Sequence, residues 1–216
     1  MRMFRFGRAL AIALTFVTAT ACTPAEQSPQ QRGAAPRPDL YICEGCEAVH
    51  ERDPSTLSWR ARIAAKSEPG EPMIVRGQVL QSDGTTPAPD VVVYAHQTNA
   101  EGAYAGGTPE TEWSRRHGRL RGWVKTGPDG RYEFITVKPA PYPSHDEPAH
   151  VHLTILEPGR RPYYIDDIVF AGEYRVDQKY VQSREKRGGS GIVALSRSPE
   201  GGWVARRDII LERHPE

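Results

Sequence analysis

The segment Gly122–Val137, built around Pro128-Asp129-Gly130, constrains this chain most strongly. A Pro-Asp-Gly turn between two runs of β-forming residues closes an antiparallel hairpin, with glycine accepting the positive φ that the turn demands. Gly122–Thr126 leads into the turn and Arg131–Val137 leads out. The same pattern recurs in Ile74–Leu80 (followed by Ser82-Asp83-Gly84), Asp90–His96, His150–Leu156, Tyr164–Phe170, Ile192–Ser196 and Trp203–Leu211. About eight short strands separated by turn residues predict an all-β, antiparallel β-sandwich with a short N-terminal arm. The 20 glycines and 19 prolines in 216 residues fit many strands joined by tight turns. No long amphipathic helix competes, and the hairpins show no fixed period of the kind a propeller or solenoid needs.

The N-terminal residues have a different composition. Arg2, Arg5 and Arg8 precede the apolar run Ala9–Val17 and the small residues Thr18–Ala21, the pattern of a secretory signal over residues 1–21. Ala19-Thr20-Ala21-Cys22 reads as a lipobox, so Cys22 is expected to carry lipid as the first residue of a bacterial lipoprotein. Ordinary cleavage without an anchor is the alternative. Thr23, rather than Asp, favours the outer membrane. Residues 22–38 are rich in Pro, Gln, Ala and Ser and read as a tether. Residues 39–72 form an arm in which Leu57–Ala65 is expected to make a short helix stopped at Glu68-Pro69-Gly70. Residues 73–216 form the sandwich. With Cys22 lipidated, Cys43 and Cys46 remain as a C-x-x-C pair. A zinc half-site lacks a second such pair, and no βαβ context supports a redox motif, so a local disulfide is expected. The chain carries 28 Lys+Arg against 27 Asp+Glu with no basic block, which argues against nucleic acid as a partner and leaves the lipid as the route to a membrane.

His150 and His152 are separated by one residue in a predicted strand, so both project to the same face and can share a metal ion. Alone, such a pair is often fortuitous, and so is a tyrosine between prolines such as Tyr142. The order of the parts carries more weight. Val91–Tyr104 (VVVYAHQTNAEGAY) is followed by Arg121-Gly122, then TGPDGRYEF, then VKPAPYP, then PAHVH. This series resembles the intradiol ring-cleavage dioxygenases, the family of catechol dioxygenases and protocatechuate dioxygenase chains, over about Ile74–Leu211.

The resemblance implies a non-haem Fe(III) centre held by Tyr104 (axial), Tyr142 (equatorial), His150 and His152. Tyrosinates are hard, anionic donors that keep iron ferric. The implied reaction opens a catechol-type diol with O2 to a muconate-type diacid, with Tyr104 serving as both ligand and base. Homo-oligomers formed through N-terminal arms also occur in the family. The chain departs from the family's pattern in several places. Glu147 stands where family members carry an arginine before the P-A-H phrase, Asp166-Asp167 replace a Thr-Gln pair, and His96 occupies a usual tryptophan position. Glu147, Asp166, Asp167 and Arg121 are therefore the candidates for contacts around the ligands, with Arg115, Arg116 and Arg119 as further sources of positive charge. These acids also feed an alternative, a sandwich that binds a metal or ligand at the cell envelope without opening a ring. His50, His117, His145 and His214 are expected in loops or at the surface, Tyr163-Tyr164 as a half-buried strand pair, and Arg184–Arg187 as a solvated loop.

Overall fold

A computed structural model of the chain describes residues 1, 3, 35–143 and 147–215. The signal, Cys22 and His145 lie outside the described residues. Among the described residues, eleven strands form two sheets: β1 (Arg60–Arg62), β2 (Pro72–Leu80), β3 (Val92–Gln97), β4 (Arg121–Lys125), β5 (Arg131–Val137), β6 (His150–Leu156), β7 (Tyr163–Phe170), β8 (Ile192–Val193), β9 (Leu195–Arg197), β10 (Trp203–Arg206) and β11 (Ile209–Ile210). One sheet runs β1-β5-β2-β10-β9, with β11 also pairing β2, and the other runs β4-β3-β6-β7-β8. Their facing sides interdigitate into one core. Met73, Val75, Val79, Tyr132 and Phe134 come from the first sheet, and Val93, Ala95, Val151, Leu153, Ile155, Ile165 and Ile168 from the second.

The sandwich is as expected, but its edges are not wholly antiparallel. β1 pairs β5, β10 and β11 pair β2, and β8 pairs β7, all in parallel. These additional strands are two to four residues long, too short to show alternation. Leu57–Ala65 is not a helix. Its centre is β1, because the Ala61 and Ile63 side chains pack on the core and Arg60 Nε pairs with Glu133 at 2.7 Å. Two helices went unexpected: α1 (Glu112–His117), closed by a Thr111–Ser114 capping box, and α2 (Gln178–Ser183), capped by Asp177. Each is six residues long and carries no apolar stripe. Among the described residues, no helix is long and apolar enough to cross a membrane.

The second sheet is buried on both faces around β3. Val93 and Ala95 face the core, while Val92 and Tyr94 join Ala48, Val49 and Trp123 in a smaller cluster beneath the arm. The arm itself bends through a 3-10 segment at Cys46–Glu51, next to the Cys43–Cys46 disulfide. Alternation along β3 places His96 on the same outer face as Tyr94, directly opposite His152 of β6. The outer face of this sheet, beyond the edge of the arm, therefore presents the histidines.

Candidate metal centre

His150 and His152 leave β6 on this outer face. The Nδ1 of His150 donates to the Pro148 carbonyl at 2.7 Å, and the Nδ1 of His152 meets Asp167 Oδ1 at 2.9 Å. Both partners are acceptors, so each Nδ1 carries the hydrogen and each neutral ring presents an Nε2 lone pair inward. The two Nε2 atoms are 2.9 Å apart.

Two loops supply the tyrosines. After β3 the chain turns at Asn99, whose Oδ1 accepts from the backbone N–H of Glu101 and Ala103 at 3.0 and 2.9 Å. The loop after β5 lies against this turn, with Thr98 Oγ1 donating to the Ala140 carbonyl at 2.7 Å and the Ala140 N–H to Asn99 O at 3.1 Å. Gly102 makes this approach possible. Its φ is 79°, and a Cβ there would lie 2.1 Å from the Pro141 carbonyl oxygen. The docked loops bring the Tyr104 and Tyr142 hydroxyls to 2.7 Å from each other, with Tyr104 3.0 Å from His152 Nε2 and Tyr142 3.2 Å from His150 Nε2. Four residues from three segments thus converge their donor atoms on one point.

Burial and the close packing of these groups dominate the electrostatics of the cluster. Burial, reinforced by the hydrogen bond with Tyr142, pushes the Tyr104 hydroxyl well up from its ordinary value. Burial also raises Tyr142, against the opposing effect of its bond with Tyr104. Burial and the neighbouring His152 lower His150. Burial pulls His152 down too, but the charge and hydrogen bond of Asp167 leave it raised. Burial raises Asp167, and His152 more than compensates, so it stays below the usual carboxylate range. Two lone pairs facing each other at 2.9 Å repel unless a proton or a metal ion lies between them. Two imidazoles with two phenols make a donor set that suits iron.

The other candidates are placed as follows. Glu147 is exposed but acts electrostatically on Tyr142, His150 and His152. Asp166 turns away, accepting from the backbone N–H of Lys186 and Arg187 at 2.9 and 3.2 Å. Arg121 pairs with Glu51 and lies 5.1 Å over the Trp123 ring. Arg115, Arg116 and Arg119 pair with Glu110, Glu44 and Glu68. None of these four arginines hydrogen-bonds a member of the cluster.

Two expectations need correction, those for His117 and Arg187. His117 is half-buried, stacked on His96 at 3.9 Å and 9° and hydrogen-bonded to the Tyr94 hydroxyl at 2.9 Å. His96 stacks in turn on His152 at 4.5 Å, so a column of imidazoles backs the cluster. His214 lies outside any helix or strand, as expected, between Tyr41 at 2.5 Å and Glu157 at 3.0 Å, and ties the arm to the C-terminal segment. Arg187 is not solvated but 1% exposed, held by Leu40 O at 3.0 Å and the Tyr164 hydroxyl at 2.8 Å. A long side chain beside Gly188-Gly189 folds inward because acceptors wait there, which a count of charges in sequence does not reveal.

A profile of the family described as Dioxygenase matches residues 50–211. The chain belongs to that family, the intradiol ring-cleavage dioxygenases. It is 28% identical over 166 residues to the hydroxyquinol 1,2-dioxygenase of Nocardioides simplex, covering 66% of this chain and 55% of that protein. The dioxygenase domain of a dioxygenase–carbohydrate-binding fusion from Streptomyces sp. SirexAA-E superposes with a TM-score of 0.53 at 25% identity, covering 70% of this chain and 86% of that one. The hydroxyquinol 1,2-dioxygenase of Pseudomonas putida DLL-E4 shares the fold with a TM-score of 0.55 at 23% identity, covering 73% and 62%. The chain spans about half the length of the curated relatives it matches.

Proposed function

We propose that the chain is an Fe(III) intradiol dioxygenase that opens a catechol-type diol with O2, both oxygen atoms entering a muconate-type diacid. The observation that carries this reading is the convergence of the Tyr104 and Tyr142 hydroxyls with the Nε2 atoms of His150 and His152, whose Nδ1 atoms are already committed elsewhere. Those four residues would hold the iron. A bound ferric ion supplies Lewis acidity and a template for both oxygens of the diol.

The residues divide the proton work between them. The hydrogen bond shared by the two phenols raises Tyr104 and lowers Tyr142. Both phenols are held protonated by burial, and Tyr142 is the one whose proton is bound less tightly. Tyr104 is the stronger base, and its Oη takes the proton that a diol hydroxyl releases. His150 and His152 stay fixed, each ring pinned through Nδ1. The relatives named as hydroxyquinol, catechol and chlorocatechol dioxygenases support an ortho-diphenol as substrate.

The test is a visible absorption spectrum of the purified protein with iron quantified in the same sample. A tyrosinate-to-iron charge-transfer band that shifts on adding catechols, together with oxygen uptake, is expected. A protein that stays colourless and iron-free after ferric and ferrous reconstitution would refute the reading. We further propose that Cys22 anchors the domain to the cell envelope. Cys22→Ala should release the protein from membranes, and continued retention would rule the anchor out.

A further inference from the structure

β6 and β7 pair in register on either side of His152 but not at it. Val151 opposes Ile168 and Leu153 opposes Ile165, so His152 alone faces both Asp166 and Asp167. One residue against two is a β-bulge, a device that re-aims side chains next to active sites. Here it sends two adjacent carboxylates to different tasks. Asp166 is held by the backbone N–H groups of Lys186 and Arg187, and its carbonyl accepts from the buried Arg207 guanidinium. With its neighbour clamped, Asp167 points its carboxylate to the outer face, where Oδ1 meets the Nδ1 of His152 at 2.9 Å.

We propose that Asp167 is a positioning residue of the metal centre: through the β7 bulge its carboxylate holds His152 in the Nδ1–H form, so that Nε2 faces the ion as a strengthened donor. This rests on the ferric reading above. The chemistry is specific to a carboxylate. An amide can offer either its oxygen or its NH2 to a ring nitrogen, so it tolerates both tautomers. A carboxylate only accepts, which fixes the tautomer, and its charge raises the basicity of the ring it binds. Asp167 lies close enough to both histidines to be weighed as a ligand in its own right, its donor atom falling within 4.8 Å of theirs. With Oδ1 engaged on Nδ1, it acts through the ring instead. The Thr-Gln pair that the sequence resemblance places here would supply neither the charge nor the fixed polarity.

The experiment compares the full chain with Asp167→Asn and, as a control for disturbance of the bulge, Asp166→Asn. In metal-free protein in mildly alkaline buffer, nitrogen-15 NMR of the histidine rings reads the tautomer directly. The unaltered chain should show His152 protonated at Nδ1, and D167N should move a measurable share to Nε2–H, whereas D166N should not. In iron-loaded protein, D167N should lower iron affinity about 10–100-fold against a competing chelator. Its charge-transfer band should move to longer wavelength, because a weaker imidazole donor leaves the iron more electron-poor. A general loss of packing does not produce that directed shift. A D167N protein with unchanged tautomer, or with unchanged band and affinity, would overturn the proposal. A tautomer that moves in a chain that takes up no iron would instead overturn the ferric reading and leave the hold of Asp167 on His152 standing.

Discussion

At the scale of single residues, the two tyrosines are chemically identical and set apart by their surroundings. Both are raised by burial, but the bond between them, 2.7 Å long, raises Tyr104 further and lowers Tyr142. Tyr142→Phe is expected to remove iron, colour and turnover together while leaving the melting temperature within a few degrees. Tyr104→Phe is expected to keep part of the iron and colour while turnover falls about 10²–10⁴-fold, the usual contribution of a positioned base. Iron analysis, visible spectra and oxygen uptake on a catechol separate the two, and equal loss of iron in both variants would sink this division of labour. Of the four converging residues, strand geometry made the two histidines legible in sequence, and the tyrosines came from the resemblance to the family. An H-x-H in a strand has to project both rings to one side, whereas nothing in the local pattern around Tyr104 or Tyr142 tells a ligand from a packed loop residue. The partner of each Nδ1 was less legible. Asp166 and Asp167 stood out together as candidates, but which of them reaches His152 depends on a bulge that leaves no mark in the alternation of side chains. The imidazole column of His96 and His117 was hidden for a similar reason, since it joins a strand to a helix across the arm.

At the scale of elements, the site depends on how closely loops can approach each other. Gly102 and Pro141 bring the two tyrosine loops together, and the left-handed backbone of Gly102 leaves no room for a side chain. Gly102→Ala is expected to cost about 1–3 kcal/mol, the strain of a non-glycine residue in that region plus the displaced carbonyl. It should also separate the tyrosines, so that iron affinity falls along with the melting temperature. Loss of stability with unchanged iron affinity would show that the loops find their places without this contact. Arg187 plays the corresponding part on the other side, linking the arm at Leu40 to β7 through Tyr164 and Asp166. Arg187→Ala should destabilise the fold by about 1–3 kcal/mol, the cost of orphaned buried acceptors. It should also open residues near Leu40 to limited proteolysis before the sandwich unfolds; arm and sandwich cleaved at one rate would contradict this linkage. The longer strands were legible in sequence because runs of β-forming residues lie between turn residues, although β2 alternates clearly while β3, β6 and β7 are buried on both faces. β1, β8, β9, β10 and β11 are only two to four residues long, so their boundaries, and the parallel pairing of all but β9, came from tertiary packing. The same holds for α1 and α2, which end after six residues and are fixed by their caps rather than by an apolar stripe.

At the scale of the whole molecule, the sandwich buries neutral imidazoles along with its apolar core, and this sets how stability depends on pH. Burial, with help from the neighbouring His152, pulls His96 well below 6.5, and burial pulls His117 from 6.5 to about 4. The unfolded chain takes up a proton at each of these side chains near 6.5, while the folded chain resists until lower pH. Below 6.5 the unfolded state therefore binds more protons, and stability falls as pH falls. For His117 the decline should run from about 6.5 to about 4 and then level off. Asp167 acts in a different window. Its folded value lies below 3.8, so its contribution is present above 3.8 and is lost only as pH falls through the lower folded value. Melting curves of metal-free protein should accordingly drop first across the histidine window and again in stronger acid. His117→Phe keeps an aromatic ring against His96 and removes one titrating group, so its first drop should be shallower while the second stays where it was. A first drop equally steep in His117→Phe would mean that the burial of His117 does not carry the acid sensitivity. Ferric iron gives an independent check, because a ligand that binds only the folded state raises its stability by mass action. Iron should raise the melting temperature most at neutral pH. Its effect should fade as His150 and His152 take up protons that compete with the metal, and a chelator should reverse it.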